Sequence, residues 1–281
     1  MPPKGAKPVE QVSNLFAPLE EQAEYTRALY YGREGTGKTT AALRATDGGM
    51  VYLISAEGGT KRDPLRKLGV DLSRIRVFRP EDGELITERD LSNVHAHILG
   101  QLQDQPDSIY AVVIDSLTEV QQQLLEQVVH KRVTKSLVEV DPDFIDRSDY
   151  GTANNQLQKL MRRYRDLPCH LIVTALERDK EKEDEVGPAL SPGLATAVMG
   201  YMDVVLRFGS ADGSYRARSK GTKRIRAKDR FGALPETIAE PSFPRIESFL
   251  TGEITDEDDE LQKELREIAE TTTKKNTKKE S

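Results

Sequence analysis

The feature that most constrains this chain is the glycine-rich stretch GREGTGKTT at residues 32–40. It matches the pattern G-x-x-x-x-G-K-[ST], it follows the apolar run RALYY, and it precedes the helix-forming run TTAALRA. In that context the glycines let the backbone turn tightly, so that its N–H groups face phosphate oxygens. The pattern predicts a phosphate-binding loop for a nucleoside triphosphate, and a glycine-rich turn before a helix is the structural alternative.

The loop residues divide the work of holding the phosphates and their metal ion. The Lys38 ammonium lies near the β- and γ-phosphates, where it also serves catalysis, and the Thr39 hydroxyl is offered to Mg²⁺. The predicted nucleotide contacts in this loop are Gly32, Arg33, Glu34, Gly35, Thr36, Gly37, Lys38, Thr39 and Thr40.

Two acidic residues follow apolar runs that are typical of strands. Asp115 ends YAVVID, where a carboxylate can hold Mg²⁺ opposite the phosphate loop. Ser116 and Glu119 also fit an S-x-x-E capping box, and both interpretations can hold together. Glu57 follows VYLIS at the sheet edge that faces the nucleotide, where it can orient or deprotonate water. The alternative for Glu57 is an acid in the first turn of a helix.

The pattern along the chain predicts an α/β fold. Near-continuous apolar runs that alternate with helix-like segments, such as 117–136 and 152–166, indicate a mostly parallel sheet covered on both faces. After residue 203 the short runs DVVLRF, YRARS and RIRAK predict a small antiparallel extension at the sheet edge. The expected parallel strands are 27–31, 50–55, 75–78, 109–114 and 170–175.

Composition sets the domain organisation. The 281 residues suit one domain. We predict a disordered arm at 1–14, a core at 15–252 and a tail at 253–281. The tail is acidic and of low complexity, and we expect it to be solvated, with a short helix around 257–270. The single Cys169 excludes an internal disulfide and favours a buried thiol. No apolar run approaches the roughly 20 residues that cross a bilayer, and no signal peptide is evident, so we expect no membrane partner and a cytoplasmic protein.

Charge is distributed unevenly along the chain. The net charge of −6 argues against a uniformly basic nucleic-acid coat. Residues 215–230, however, hold eight Lys or Arg and one acid, while residues 253–260 hold six acids. Arg226, Lys228 and Arg230 recur at every second position and would share one face of a strand, which suits phosphate oxygens of ATP or of a nucleic acid. A charged edge strand that resists aggregation is the alternative.

Together these residues resemble the RecA-like ATPases. The resemblance rests on Ala56-Glu57, on Asp115-Ser116, and on KDRFG at residues 228–232, which is similar to the K-N-R-F-G element of RadA-type proteins. The segment DYGTANNQLQKLMRRYRDLPCHLIVTALERDKE looks like the phage ATPases of this group, some of which are single-strand annealing recombinases. The resemblance covers about residues 25–250. It implies an ATP- and Mg²⁺-dependent enzyme of phage origin that acts in DNA recombination or annealing.

The resemblance also implies roles for particular residues. Glu57 would be the catalytic base, and Thr174 would lie beside the γ-phosphate on a strand between the phosphate-loop strand and the Asp115 strand. Ala175 stands where the RecA pattern has a glutamine. Lys228 and Arg230 would reach the ATP of a neighbouring subunit, with Arg226 contributing to nucleotide binding, so the active form would be a homo-oligomer.

Single-stranded DNA is the partner that the resemblance implies, with a single-strand-binding protein as a further one. The corresponding loops are about 138–150 and 178–197, the second of which we expect to be mobile because it is rich in Gly and Pro. Phe144 and Tyr150 are the aromatic residues nearby, for base stacking or for the core. Two alternatives remain: a RadA- or helicase-like DNA motor, and a nucleotide-gated annealing scaffold without catalysis.

Overall fold

The computed structural model describes residues 24–58, 61–80, 84–136, 141, 144–180, 185–211, 213–264 and 267–268. Within these residues a central sheet is flanked by helices on both faces. The strands are β1 (Arg27–Gly32), β2 (Val51–Ser55), β3 (Ile75–Phe78), β4 (Ala111–Asp115), β5 (His170–Lys180), β6 (Glu185–Pro188), β7 (Val204–Ala211), β8 (Ser214–Arg218), β9 (Lys228–Asp229) and β10 (Thr237–Ala239). The helices are α1 (Lys38–Leu43), α2 (Arg62–Lys67), α3 (Glu88–Asp104), α4 (Leu117–Lys135), α5 (Arg147–Arg165), α6 (Pro192–Tyr201) and α7 (Phe243–Thr251).

The strand order is β10-β8-β7-β1-β5-β4-β2-β3, with β6 paired to β5 and β9 paired to β7. The pairs from β7 through β1, β5, β4 and β2 to β3 are all parallel, whereas β6, β8, β9 and β10 pair antiparallel. This confirms the predicted fold class, a mostly parallel sheet with a small antiparallel extension. It also confirms that the strand carrying Thr174 lies between the phosphate-loop strand and the Asp115 strand.

Register brings the carboxyl ends of four central strands to one edge of the sheet. Tyr30 pairs with Thr174, and Ser55 pairs with Asp115. Since parallel strands that are hydrogen-bonded in register end at the same edge, the segments that follow β1, β2, β4 and β5 converge there. Any site built from them lies at this edge.

The core has two layers, one on each face of the sheet. Most residues of the central strands are buried, as in β1, where residues 28–32 are all buried. One layer contains residues of α3, α4, α5 and α6, and the other contains residues of α1 and α7. Burial of each large apolar side chain contributes about 1.5–3 kcal/mol to folding, which is why these strands read as continuous apolar runs. Cys169 lies in the first layer, as predicted, and burial raises the pKa of its thiol to about 12.

The segment 178–197 differs from the mobile loop expected there. Residues up to Lys180 extend β5, residues 185–188 return as β6, and Pro192 begins α6. Proline fits the first turn of a helix because its fixed φ suits the helix and its missing N–H is not needed there. Residues 181–184 lie outside the described part of the chain, as do 137–140 and 142–143 of the first expected DNA loop. Phe144 and Tyr150 are 57% and 41% exposed, so the core alternative for them is wrong.

The segment after Gly252 does not behave as a wholly solvated tail. Asp259 accepts a hydrogen bond from Arg245 at 2.5 Å, and Gln262 is only 2% exposed. The Gln262 side-chain amide donates to the Thr237 carbonyl at 2.8 Å and accepts from the Ala239 N–H at 2.8 Å. It therefore satisfies the backbone of edge strand β10, a contact that charge composition does not reveal. Residues 1–23 and 269–281, which include the predicted arm and the end of the tail, lie outside the described residues.

Within the described ranges, none of the helices combines the length and the apolar character that crossing a membrane requires.

Candidate nucleotide-binding site

The glycine-rich loop connects the end of β1 to the start of α1. Gly37, which precedes α1, has φ of 84°, a left-handed conformation that favours glycine. Gly32 is fixed by space, because a Cβ atom there would lie 2.4 Å from the carbonyl oxygen of Phe208 on β7. The predicted strand–loop–helix context is thus present, with the first motif glycine wedged against the sheet.

Lys38 lies inside the loop and is 8% exposed. Its Nζ donates to the carbonyl oxygens of Gly32 and Arg33 at 2.9 and 2.7 Å. Burial lowers the pKa of the Lys38 ammonium, and the charges of Asp115 and Glu57 oppose that effect. Two backbone carbonyls thus hold the Lys38 ammonium, and the phosphate oxygens of a bound nucleotide can take their place.

Asp115 is the centre of a buried cluster at the carboxyl end of β4. It is 5% exposed and accepts from the Thr39 hydroxyl at 3.1 and 3.0 Å and from the Thr174 hydroxyl. Burial raises the pKa of this carboxyl, and the hydrogen bond from Thr174 opposes the rise. A carboxylate beside a threonine hydroxyl is an oxygen donor set that suits Mg²⁺, so Thr39 and Asp115 fit the ion that the sequence predicts.

Glu57 lies next to this cluster, just after β2. The Ser116 hydroxyl donates to Glu57 Oε1 and accepts from the Glu119 N–H at 3.4 Å at the start of α4. Ser116 therefore caps the helix while Asp115 faces Thr39, as the sequence allowed. Glu57 lines a cavity of about 270 Å³ together with Thr39, Thr40, Lys61, Pro64, Leu65 and Asp115.

An ion pair between a buried carboxylate and a partly exposed arginine lies beside the loop and was not predicted from the sequence. The Glu177 side chain is 1% exposed and is held by Arg207 through two hydrogen bonds of 2.7 and 3.1 Å. Arg33 of the loop also approaches Glu177, with Nε 3.7 Å from Oε1. Glu177 follows Leu176, which lies opposite Gly32 in the register of β1 and β5. The Arg207–Glu177 ion pair is therefore next to the phosphate loop. The available signal was Arg207 itself, a cation inside the apolar run DVVLRF.

The three basic residues after the core are not brought to the loop of their own chain. Arg226 contacts Glu185 at 2.5 Å, and Arg230 contacts Asp203 at 2.8 Å. Lys228 donates to the Met202 and Met199 carbonyls at 2.5 and 3.3 Å, at the end of α6. Burial lowers the pKa of Lys228.

The expected basic strand face is reduced to the two residues of β9. Its partner β7 places Lys228 opposite Val205, which pairs with Leu29 on the other side. Leu29 precedes Gly32 by three positions. Measured along the strand direction, Lys228 therefore lies about 10 Å from Gly32 toward the amino ends of the parallel strands. Arg226, Lys228 and Arg230 bind three separate partners instead of presenting one cationic row, because the chain leaves the strand conformation on either side of β9.

A phosphate loop between a parallel strand and a helix, with a lysine inside it and an aspartate on a neighbouring strand end, defines a P-loop nucleoside triphosphatase domain. Residues 24–231 match the family AAA_24, described as an AAA domain, and the chain belongs to that family. Family membership is consistent with nucleotide binding at the loop described above.

Part of the chain is also similar to RecA proteins. It is 44% identical over 59 residues to RecA of Chlorobaculum parvum, covering 19% of this chain and 17% of that protein. It is 41% identical over 63 residues to RecA of Cutibacterium acnes, covering 21% and 18%. It is 35% identical over 92 residues to RecA of Leifsonia xyli, covering 31% and 23%. The chain spans less than a quarter of the length of these relatives, and the likeness supports an ATPase of RecA-like type.

Proposed function

We propose that this protein is a Mg²⁺-dependent, RecA-like ATPase that acts in DNA recombination or single-strand annealing in the cytoplasm of a phage-infected bacterium. The observation that carries the ATPase part is the convergence of Thr39, Asp115 and Thr174 beside Lys38 at one sheet edge. Three elements of the chain, α1, β4 and β5, contribute to this cluster, and each polar group in it suits a nucleotide phosphate or its cation.

The residues divide the reaction between them. Lys38 and the loop N–H groups bind the β- and γ-phosphates, and Thr39 and Asp115 hold Mg²⁺, which neutralises developing charge when bound. Glu57 accepts a proton from the water that attacks the γ-phosphate, or orients that water. Thr174 reports on this end of the nucleotide through its hydrogen bond to Asp115.

Substitution of Glu57 tests the hydrolytic role. Glu57→Gln keeps a hydrogen-bond acceptor for Ser116 but removes the base, so turnover falls about 100-fold or more while ATP affinity stays unchanged. Glu126→Gln, an exposed glutamate on α4, is the matched control. Persistent turnover in Glu57→Gln would show that another group activates water. ATP binding without turnover in the unmodified protein would instead favour the non-catalytic scaffold.

The basic motif supports a site completed by a second subunit. Arg230 has a 57% exposed side chain and Phe231 is 44% exposed, and both lie at the sheet edge opposite the phosphate loop. One copy can therefore present these residues to the loop of the next copy, which is a head-to-tail contact. In this assembly Arg230 and Lys228 stabilise the phosphate charge, and Arg226 lies near them.

Mixing two inactive variants tests this arrangement. Lys38→Ala lacks a working loop, and Arg230→Ala lacks the cation supplied to the neighbour. Equal amounts regain about a quarter of the sites, because each complete site needs an intact loop from one chain and an intact Arg230 from the other. Arg230→Ala is preferred to Lys228→Ala since Lys228 also binds the end of α6. Absence of any gain on mixing would contradict sharing between subunits.

A groove at the carboxyl edge of the sheet suits single-stranded DNA. It measures about 710 Å³ and is lined by Arg147, Tyr150 and Arg178, among other residues. Two guanidinium groups match backbone phosphates, and a 41% exposed tyrosine offers a stacking surface for a base. Thr118 lines this groove, and its Oγ1 accepts a hydrogen bond from the Leu176 N–H at 3.0 Å. The groove is therefore in contact with β5, the strand that carries Thr174.

DNA-dependent assays test the recombination role. Single-stranded DNA should raise ATP turnover, and the Arg147→Ala, Arg178→Ala double variant should bind DNA more weakly, with a smaller dependence on salt. Arg162→Ala is the control, since it is exposed on the same helix about 22 Å from Arg147. Annealing should be measured with and without a single-strand-binding protein. No effect of DNA on turnover or annealing would refute the role, and duplex unwinding would favour the motor.

A further inference from the structure

An aromatic side chain lies directly on the phosphate loop. A Cβ atom added to Gly37 would meet Tyr215 Cδ1 at 3.1 Å and its Cε1 and Cγ at 3.4 Å, so the ring covers the outer side of this glycine. Tyr215 belongs to β8 and is only partly buried. It shares its face of the strand with Ala217, which packs in the same core layer as α1.

The backbone of Tyr215 is held by a residue in an unusual conformation. Glu240 has φ of 42°, which is uncommon for a residue other than glycine. Its N–H donates to the Tyr215 carbonyl at 2.9 Å, and its carboxylate accepts from the Tyr215 N–H at 3.0 Å. Both peptide groups of Tyr215 are thus fixed by one residue, as expected where a side chain must be positioned.

The strand order places Tyr215 on one side of the phosphate loop and Asp115 on the other. Asp115 lies on β4, two strands from β1 on one side, and Tyr215 lies on β8, two strands from β1 on the other. Thr39 faces Asp115, so the terminal phosphates and Mg²⁺ belong on the β4 side. A nucleotide bound in that direction extends its ribose and base away from β4, toward Tyr215.

We infer that Tyr215 forms the nucleoside wall of this site, with its ring against the base of the bound nucleotide, and that Glu240 is a positioning residue for it. This inference rests on the proposed function and adds the part of the site that distinguishes a nucleotide from a bare polyphosphate. The loop alone binds phosphates, whereas Tyr215 contributes affinity that only a nucleoside can use.

The test compares ATP with inorganic tripolyphosphate, each with Mg²⁺, by titration calorimetry on the full chain. Tyr215→Ala weakens ATP binding roughly five- to a hundred-fold and leaves tripolyphosphate affinity unchanged. Tyr215→Phe keeps the ring and keeps ATP affinity. Tyr215→Leu keeps apolar contact with Gly37 without an aromatic face, and loses ATP affinity as the alanine variant does. Tyr201→Ala, a partly buried tyrosine outside the loop, is the matched control.

Glu240 is tested in the same assay. Glu240→Ala weakens ATP but not tripolyphosphate binding, and Glu240→Gln, which keeps an acceptor for the Tyr215 N–H, restores ATP affinity. Equal losses of ATP and tripolyphosphate in Tyr215→Ala and Tyr215→Leu would show that Tyr215 only supports the loop and would overturn the inference. Unchanged ATP affinity in both variants would also overturn it. Failure of the unmodified protein to bind ATP would instead overturn the proposed function itself.

Discussion

The hydrogen bond from Thr174 to Asp115 gives the sharpest prediction about the site. Thr174 is fully buried, and its hydroxyl donates to a carboxylate that is 5% exposed. Thr174→Val keeps the shape of the side chain and removes only this donor. Asp115 then retains the Thr39 hydroxyl as its remaining described side-chain donor.

The magnitude follows from the charge and burial of the acceptor. A hydrogen bond to a charged group contributes about 1.5–3 kcal/mol, so the free energy of unfolding should fall by about 2 kcal/mol and Tm by roughly 4–8 °C. Burial raises the Asp115 pKa and the Thr174 bond opposes the rise, so the variant carboxyl has a higher pKa still. A raised carboxyl pKa costs stability above that pKa and the cost disappears as the pH falls through it. The deficit should therefore be larger at pH 8 than at pH 5.

Urea denaturation of the nucleotide-free protein at both pH values measures this difference. Thr174→Ser is the control, because it keeps the hydroxyl and loses one methyl group, which costs about 1 kcal/mol at either pH. A Thr174→Val deficit that does not change with pH, or that equals the serine deficit at pH 8, would refute the coupling between Thr174 and Asp115.

Two further predictions concern the scaffold. The Thr26 N–H donates to His170 Nδ1 at 3.1 Å, and burial lowers the His170 pKa to about 4. The free energy of unfolding should therefore be highest above pH 6.5 and should fall, by at most about 3 kcal/mol, as the pH drops toward 4. Glu247 Oε1, 3.3 Å from His170 Nε2, limits this loss by pairing with the protonated ring. His170→Asn keeps an acceptor that does not titrate, and its urea midpoint should vary less with pH over this window; an equal loss in both proteins would contradict the assignment. Gly32→Ala places a methyl group 2.4 Å from the Phe208 carbonyl and should cost about 3 kcal/mol, whereas Gly100→Ala, on an open helix surface, should be neutral or stabilising. Equal urea midpoints for these two variants would contradict the close packing of β1 on β7.

The parallel part of the fold could be predicted because its strands are buried on both faces. The run IRVF at 75–78 matches β3 in both bounds, and the other runs mark their strands to within a few residues at the start. Lys38 was predicted from the phosphate-loop motif and Asp115 from its place at the end of an apolar run, whereas the place of Thr174 was implied by the resemblance to RecA-like ATPases.

Other parts of the molecule depend on contacts between distant segments. The strand β6 lies in a charged stretch whose pairing with β5 is supported by the hydrogen bond from the Arg226 N–H to the Val186 carbonyl, 3.0 Å long. The burial of Glu177 requires Arg207 from another strand, which local composition cannot indicate. Lys228 could be recognised as basic, but its use of helix carbonyls as partners appears only when α6 is in place.

The Gln262 contact with β10 determines which C-terminal truncations leave the sheet edge protected. A side-chain amide has the donor and acceptor of a peptide group, so this single residue occupies the position that another strand would take. A fragment that ends at Gly252, where the acidic stretch begins, would leave Thr237 and Ala239 with free backbone groups on a strand edge. Such an edge can pair with a strand of another molecule, so the shortened protein should aggregate more readily than the full chain. The tail thus protects the edge of β10 from pairing with other strands, and it does so through the neutral side chain of Gln262.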